Sequence, residues 1–296
     1  MVSSHKIAII GAGSVGATIA YALILHKVAA NIYLIDPVEA VVRGQVYDLE
    51  DALFLSNTKV SQGSYKDVDT ADIIVITAGA KQKPGETRDD LIDRNLNILK
   101  SILGSFTPKS DAVIILVSNP VDVLTALAQT ITKLPKNQII GSGTFLDSQR
   151  LRCKLGHELK VQENAVHAYV MGAHGDSQFV AWSCATVAGS PISLPNEKEI
   201  SEEVMHKAYD IIDLKGATYF GIGACVASLC QTILLDSKSV RPISVYHPKY
   251  DAVLSWPCVI GNMGAERIVE MPLNKEETEK LEKCAEIVRT TVAAHK

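Results

Sequence analysis

The 296-residue sequence predicts an α/β protein in which a doubly wound parallel sheet is followed by a second domain of α+β type. In the first half, short β-branched runs alternate with amphipathic segments, as they do in βαβ units. The runs IAII, DIIVIT and AVIILV lack the alternation of a sheet with one wet face, so helices should cover both faces. After about Gly141, longer helical stretches frame separate strand-like segments, which is typical of an α+β domain.

The predicted elements follow this division in order. In the first half, strands are predicted at 6–10, 31–35, 71–77, 111–117 and 138–140, and helices at 14–28, 88–105 and 121–132. In the second half, helices are predicted at 147–159, 199–214, 221–235 and 275–294, and strands at 165–171, 179–187, 244–245, 253–259 and 267–270. We therefore predict domains at 1–141 and 142–296. Because no repeat or Gly/Ser-rich linker separates them, an active site should lie between them.

Composition excludes several classes of protein. A hydrophobic fraction of 47% is too high for a disordered chain, and 29 Lys and Arg against 33 Asp and Glu provide no basic field for nucleic acid. Six cysteines without a C-x-x-C pair predict reduced thiols and no metal site. The uncharged stretch 217–235 is long enough to cross a bilayer, but its glycines and polar residues favour a helix buried in a soluble core. The N-terminus shows no secretory signal, which predicts a cytoplasmic protein.

A glycine-rich turn points to a dinucleotide. Gly11, Gly13 and Gly16 follow the first strand directly and open the first predicted helix, where a G-x-G-x-x-G fingerprint has to lie. These glycines permit a tight turn, close approach of a pyrophosphate and close helix–strand packing, with Ser14 and Val15 in the first helical turn. Asp36 ends the second strand, where a carboxylate binds ribose hydroxyls and favours NAD over NADP. The alternative is an ordinary βα connection followed by a turn. Because the strand, the glycines, the helix and the acidic residue occur in the order and at the spacing of the fingerprint, the sequence predicts a Rossmann-type domain.

Three further features carry candidate chemistry. The polar segment 79–88 follows a predicted strand and holds three basic residues, which suits a ligand-binding loop or a solvated one. Asp147 and Arg150 stand three apart and should share one helix face, as active-site partners or as a surface ion pair. His174 lies between glycines in GAHGDS, either as a presented imidazole or as a polar loop residue.

Together these segments resemble a known family. The ordered motifs GAGSVG, TAGA followed by KQKPGETR, VSNP, GTFLDSQR, GAHGDS and KGATYFGIG, with Asp36 between the first two, are similar to those of the L-lactate/malate dehydrogenase family, and of its L-lactate branch in particular. The likeness runs from Lys6 to near the C-terminus. It implies an NAD-dependent oxidoreductase that reversibly reduces pyruvate to L-lactate in glycolysis and fermentation, and a homotetramer.

The resemblance also implies residue roles. His174 would be the proton donor and acceptor, oriented by Asp147. Arg150 would clamp the substrate carboxylate with two hydrogen bonds, and Arg88 would stabilise charge on the reacting oxygen. The remaining implied contacts are with the substrate at Gln82, Asn119 and Thr218, with the cofactor at Gly11, Gly13, Ser14, Val15, Gly16, Asp36, Thr77, Ala78, Gly79, Asn119 and Ile222, and with an anion at Arg152 and His167.

Two departures from the family pattern stand out. Ala173 occupies the position before the histidine where the family often has an acid, and the stretch 191–215 is short for the family. The anion pair resembles the fructose 1,6-bisphosphate site of some bacterial relatives, and its alternative is a surface Arg and a strand His with no ligand.

Gln82 decides the substrate within the family. Malate dehydrogenases commonly have Arg at this position, which pairs with the second carboxylate of oxaloacetate, whereas Gln is typical of lactate enzymes. A second carboxylate facing a neutral side chain would lose its hydration without a partner. The sequence therefore favours pyruvate, with malate dehydrogenase as the alternative. An NAD-binding regulator without turnover would not need Arg88, Asp147, Arg150 and His174 together, and an NAD-dependent glycosidase would need metal ligands that the scattered cysteines do not supply.

Overall fold

The computed structural model describes residues 4–80, 85 and 87–296. In the first half, six strands alternate with helices. The strands are β1 (Lys6–Ile10), β2 (Asn31–Ile35), β3 (Lys59–Gln62), β4 (Ile73–Ile76), β5 (Val113–Leu116) and β6 (Ile139–Gly141). The helices are α1 (Ser14–His26), α2 (Glu39–Glu50), α3 (Tyr65–Val68), α4 (Arg88–Leu103) and α5 (Val121–Ile131).

The second half contains four α-helices and eight strands among the described residues. The helices are α6 (Phe145–Leu159), α7 (Glu197–Lys215), α8 (Phe220–Leu234) and α9 (Lys275–Ala294). The strands are β7 (Val166–His167), β8 (Val170–Met171), β9 (Phe179–Val180), β10 (Thr186–Val187), β11 (Ser190–Pro191), β12 (Ser239–His247), β13 (Ala252–Gly261) and β14 (Gly264–Ile268).

One large sheet runs through both halves. Its first six strands are parallel in the order β3-β2-β1-β4-β5-β6, a doubly wound sheet of the class that the sequence predicted, although β3 itself was not predicted. Strand β12 then pairs antiparallel with β6, at Ser244 opposite Gly141, and β13 and β14 continue the sheet to nine strands. The order reverses between β1 and β4, so the carboxyl ends of these two strands form the crevice in which such sheets bind ligands.

The core lies on both faces of this sheet. Strands β4 and β5 are buried at every position, which confirms the interpretation of their uniformly apolar runs. Helix α8 packs against α1, and a Cβ at Gly223 would lie 2.5 Å from Cγ2 of Thr18. Within the described part of the chain, no helix is long and apolar enough to span a membrane. All six cysteines are free thiols.

Several predicted strands are wrong in detail. The stretch 165–171 is not one strand but two, because β7 pairs with β10 whereas β8 pairs with β9. Between them, the carbonyl of Ala168 accepts a hydrogen bond from Nε of Arg152 at 3.1 Å. The stretch 179–187 is likewise divided, since a single 3₁₀ turn at Trp182–Cys184 separates β9 from β10. Strand β12 is longer than the predicted 244–245 because it pairs along its whole length with β13.

Candidate active site

The glycine turn brings α1 directly onto β1. Gly11 has a φ of +112°, in the region that favours glycine, and its N–H donates to the carbonyl of Ile35 at 2.7 Å. A Cβ at Gly16 would lie only 1.9 Å from the Gly11 carbonyl oxygen. A Cβ at Gly13, by contrast, would have nothing within 4 Å, and Gly13 forms the N-cap of α1 without a side-chain hydrogen bond. The helix N-terminus is therefore open to an anionic group.

Asp36 lies at this turn as predicted. Its Oδ2 accepts the N–H of Ala12 at 3.0 Å, and its Oδ1 accepts the N–H of Val38 at 3.0 Å. The side chain is half-buried, so the carboxylate borders both the turn and solvent. A carboxylate here, with the uncovered backbone at Gly13, fits a dinucleotide whose ribose carries free hydroxyls.

The ends of β4 and β5 form the other side of the crevice. Thr77 donates from Oγ1 to the Gly11 carbonyl at 2.9 Å, and Ala78 donates its N–H to the carbonyl of Ile10 at 2.9 Å. Gly79 lies against Ser118, whose hydroxyl donates to the Ala78 carbonyl.

Buried Asn95 connects the segments that follow β4 and β5. Its Oδ1 accepts the Ala80 N–H at 2.7 Å, and its Nδ2 donates to the carbonyl of Asn119 at 2.9 Å. Asn119 itself is exposed and precedes a cis peptide bond to Pro120. Sequence reasoning missed Asn95, which stands in a helix with no motif around it.

His174, Asp147 and Arg150 form one hydrogen-bonded group. Nδ1 of His174 lies 2.8 Å from Oδ2 of Asp147, and an Arg150 guanidinium nitrogen lies 3.1 Å from Oδ1 of the same carboxylate. Asp147 and Arg150 share one face of α6, as their spacing predicted, and are 1% and 8% exposed. The imidazole is 26% exposed. Because Nδ1 is engaged by Asp147, Nε2 is the ring atom left for a ligand.

The charges in this group favour a protonated imidazole. Burial alone would lower the pKa of His174, but attraction by the carboxylates of Asp147 and Asp122 outweighs it, and the pKa is raised above its ordinary value. Burial alone would also raise the pKa of Asp147, but His174 and Arg150 lower it. The pair is therefore suited to hold a proton on the imidazole near neutral pH.

Asp122 is a second carboxylate at this site, and sequence reasoning missed it. It lies in the first turn of α5, two residues after Pro120 of the VSNP motif, and is 3% exposed. Its Oδ2 accepts the backbone N–H of His174 at 2.7 Å. An acid in the first turn of a helix is ordinary in sequence, so only the fold reveals this contact.

The other predicted site residues lie partly inside and partly outside the described part of the chain. Thr218 is half-buried just after α7, and Ile222 is partly buried in the first turn of α8 against the main core. Arg88 is the first residue of α4, and its side chain lies outside what the structure describes. Gln82 also lies outside the described residues. The short stretch noted in the sequence connects β11 to α7 by only five residues, 192–196.

Arg152 and His167 line one surface groove with a volume of about 750 Å³. Nε of Arg152 donates to the Ala168 carbonyl at 3.1 Å, and its guanidinium lies 4.9 Å from the centre of the Tyr169 ring. Arg241 lines the same groove, and burial together with the charge of Arg152 lowers its pKa. The groove thus contains two guanidinium groups, of which sequence reasoning had noted only one.

Among the residues that the structure describes, there is no cluster of three or more His, Cys, Asp or Glu side chains that could hold a metal ion.

Comparison with known families matches both halves of the chain. The family model of the lactate/malate dehydrogenase NAD-binding domain matches residues 5–141, and that of the lactate/malate dehydrogenase alpha/beta C-terminal domain matches residues 144–296.

Similar proteins are found among both sequences and structures. L-lactate dehydrogenase A of Rhizopus oryzae is 48% identical, over 98% of this chain and 93% of that protein. An L-lactate dehydrogenase of Clostridium botulinum is 41% identical, over 98% of this chain and 96% of that protein. The crystal structure of the minor L-lactate dehydrogenase of Enterococcus mundtii superposes with a TM-score of 0.94 at 33% identity, covering 99% of each chain. That of a lactate dehydrogenase from a Medee basin deep-sea metagenome superposes with a TM-score of 0.93 at 34% identity, covering 98% of each chain.

Proposed function

The chain belongs to the lactate/malate dehydrogenase family, and from that premise we propose that it is an L-lactate dehydrogenase that uses NAD to interconvert pyruvate and L-lactate. The observation that carries the proposal at the level of residues is the buried group in which Asp147 binds both His174 and Arg150. We assign residues 1–141 to the cofactor and residues 142–296 to the acid–base and substrate groups.

His174 is the proton donor for pyruvate reduction. Its Nδ1 is bound to Asp147, so Nε2 gives its proton to the carbonyl oxygen of pyruvate, and in the reverse direction it takes the hydroxyl proton of lactate. Asp147 fixes the tautomer and stabilises the imidazolium. NAD, when bound, would supply the hydride-transfer chemistry that complements this proton transfer.

Arg150 and Arg88 act on the two polar ends of the substrate. Arg150 is held on α6 by Asp147, and its remaining guanidinium N–H groups pair with the substrate carboxylate. Arg88 stabilises the negative charge that develops on the reacting oxygen. Asn119 and Thr218 would complete the substrate end of the site, and Ile222 would lie on the nicotinamide side.

The glycine turn holds the cofactor. Backbone groups at Gly11, Gly13 and Gly16 and the first turn of α1, with Ser14 and Val15, bind the pyrophosphate, while Asp36 binds the ribose hydroxyls. Thr77, Ala78 and Gly79 line the opposite side at the end of β4. The support for these assignments is that a Cβ at Gly13 would lie in open space and that the carboxylate of Asp36 lies at the turn.

Pyruvate is favoured over oxaloacetate by the neutral side chain at Gln82, which offers no partner for a second carboxylate. The names of the relatives point the same way. A regulatory protein without turnover is not favoured, because the His174, Asp147 and Arg150 group serves no purpose in cofactor binding.

We further propose a cytoplasmic homotetramer that acts in glycolysis and in fermentation of pyruvate to lactate. We also propose that Arg152 and His167 bind a phosphate-bearing anion, with Arg241 in the same groove.

Absorbance at the NADH band tests the proposed function. The purified protein should oxidise NADH when pyruvate is added and only slowly when oxaloacetate is added. Preference for oxaloacetate would favour malate dehydrogenase, and no oxidation with either acid would favour the regulatory protein.

A further inference from the structure

Asp122 connects three separate parts of the molecule. It lies at the start of α5 in the first half, and its Oδ1 accepts the hydroxyl of Ser255 on β13 at 2.8 Å. Its Oδ2 accepts the backbone N–H of His174 at 2.7 Å. Both oxygens of the carboxylate thus act as acceptors, at a position that is 3% exposed.

The segment that carries His174 needs such an anchor. It is flanked by Gly172 and Gly175, with φ values of +100° and +111°, so its own backbone restricts it little. Gly172 is held by paired backbone hydrogen bonds to Ser255, one in each direction, at 3.2 and 2.6 Å. The hydrogen bond to Asp122 fixes the peptide group between Ala173 and His174.

Asp122 also adds to the charge around the imidazole. Among the described side chains, the charged groups that interact with His174 are Asp147 and Arg150 on α6 and Asp122 on α5. The thiol of Cys284 on α9 lies near Asp122, and burial and that carboxylate raise its pKa. The pKa of Asp122 is raised, because the effect of burial exceeds that of the hydrogen bonds from Ser255 and His174, which lower it. The hydrogen bonds place one donor on each carboxylate oxygen, and the N-terminal turn of α5 favours a negative charge, so the geometry suits an ionised Asp122 beside a protonated His174.

We propose that Asp122 is a positioning residue for the acid–base step, which fixes the backbone of His174 and supplies a second negative charge that stabilises its protonated ring. The inference rests on the proposed function, because it concerns the same proton transfer. Asp147 orients the ring from one side, and Asp122 holds the peptide from which the ring extends.

The Asp122→Asn variant tests this. An amide has almost the same shape, so its oxygen accepts the His174 N–H while its NH₂ group donates to the hydroxyl of Ser255. Only the charge is lost, and the pKa of His174 should fall. Pyruvate reduction requires the protonated ring, so kcat/KM should decline at lower pH than in the parent, by about one pH unit. Lactate oxidation requires the neutral ring, so its acidic limb should move in the same direction.

Glu277→Gln is the matched control. Glu277 is a carboxylate exposed by only 4% that also accepts a backbone N–H, that of Ser183 at 3.0 Å, and a hydroxyl, that of the same serine. It lies on α9, outside the active-site group. Loss of its charge should lower the melting temperature and leave both pH profiles unchanged, whereas Asp122→Asn should move both profiles at unchanged NADH affinity.

The measurement is kcat/KM against pH in both directions, at saturating cofactor. If the profiles of Asp122→Asn superimpose on those of the parent, the inference is wrong, whatever the change in stability. If the Asn variant does not fold, Asp122→Ser removes the same charge and is read by the same criterion. If the parent protein fails to oxidise NADH with pyruvate, the proposed function is refuted, and this inference is refuted with it. If the parent is active but the pH profiles of the Asp122 variant do not differ from those of the parent, only this inference is refuted.

Discussion

A methyl group at Gly13 and one at Gly16 would meet opposite surroundings, although the two residues lie within one turn of each other. At Gly16 the Cβ would lie 1.9 Å from the carbonyl oxygen of Gly11 and 3.2 Å from Oγ1 of Thr77. At Gly13 nothing lies within 4 Å, and the backbone angles there, −72° and −172°, suit an alanine. We expect the two substitutions to separate stability from cofactor binding.

Gly16→Ala should lower both quantities. Relief of the contact requires α1 to move from β1 by roughly 1 Å, and overpacking of this kind costs about 1–3 kcal/mol. At about 2–4 °C for each kcal/mol, the melting temperature should fall by about 5 °C. The displaced helix also carries the N–H groups that bind the pyrophosphate, so the affinity for NADH should fall as well.

Gly13→Ala should leave the melting temperature without nucleotide close to that of the parent and weaken NADH binding at least about tenfold, or about 1.4 kcal/mol, because the methyl group occupies the approach of the pyrophosphate. Gly44→Ala, in the exposed middle of α2, is the control: it should stabilise the protein by about 0.5–1 kcal/mol and leave NADH binding unchanged. Thermal unfolding without nucleotide and fluorescence titration with NADH measure the two quantities. Parent-like NADH affinity of Gly13→Ala, or a parent-like melting temperature of Gly16→Ala, would refute the reasoning from these distances.

Three further outcomes are expected. His174→Ala should lower turnover by about 10²–10⁴ while NADH titrates as in the parent, and half the parent rate would disprove the assigned role. Gln82→Arg should raise the ratio of kcat/KM for oxaloacetate to kcat/KM for pyruvate by at least about 10³. The new guanidinium can pair with the second carboxylate of oxaloacetate, whereas with pyruvate it faces a methyl group and is left unpaired. A ratio that hardly changes would remove the main sequence argument for pyruvate. Fructose 1,6-bisphosphate at sub-saturating pyruvate should raise the rate, and an unchanged rate would exclude activation through Arg152 and His167.

Much of the fold could be predicted from the sequence because its strands are short, uniformly apolar runs with recognisable ends. Strands β1 and β2 begin and end where predicted, since apolar runs bounded by glycine or aspartate mark their ends. Helix α2 was missed: its buried side chains, Val42, Val46 and Leu49, are few, and Gly44 interrupts the pattern. The family, the cofactor and the fold class are confirmed.

The site was accessible only in part. Asp147 and Arg150 are three residues apart, so their common helix face could be predicted, and they do form an ion pair. Their roles toward substrate stay predictions, as do those of Gln82 and Arg88. Asp122 could not be found, because its partner Ser255 lies 133 positions along the chain, and only the pairing of sheet and helices brings the two together.

The union of both halves in one sheet has a consequence for the order of folding during synthesis. Strand β6 ends the parallel part of the sheet at Gly141, and its neighbour, β12, starts only at Ser239. Until that segment leaves the ribosome, β6 presents an unpaired edge, to which strands of other nascent chains can add. The last fifth of the chain therefore covers this exposed edge, and a ribosome that stalls before Ser239 leaves a fragment prone to association.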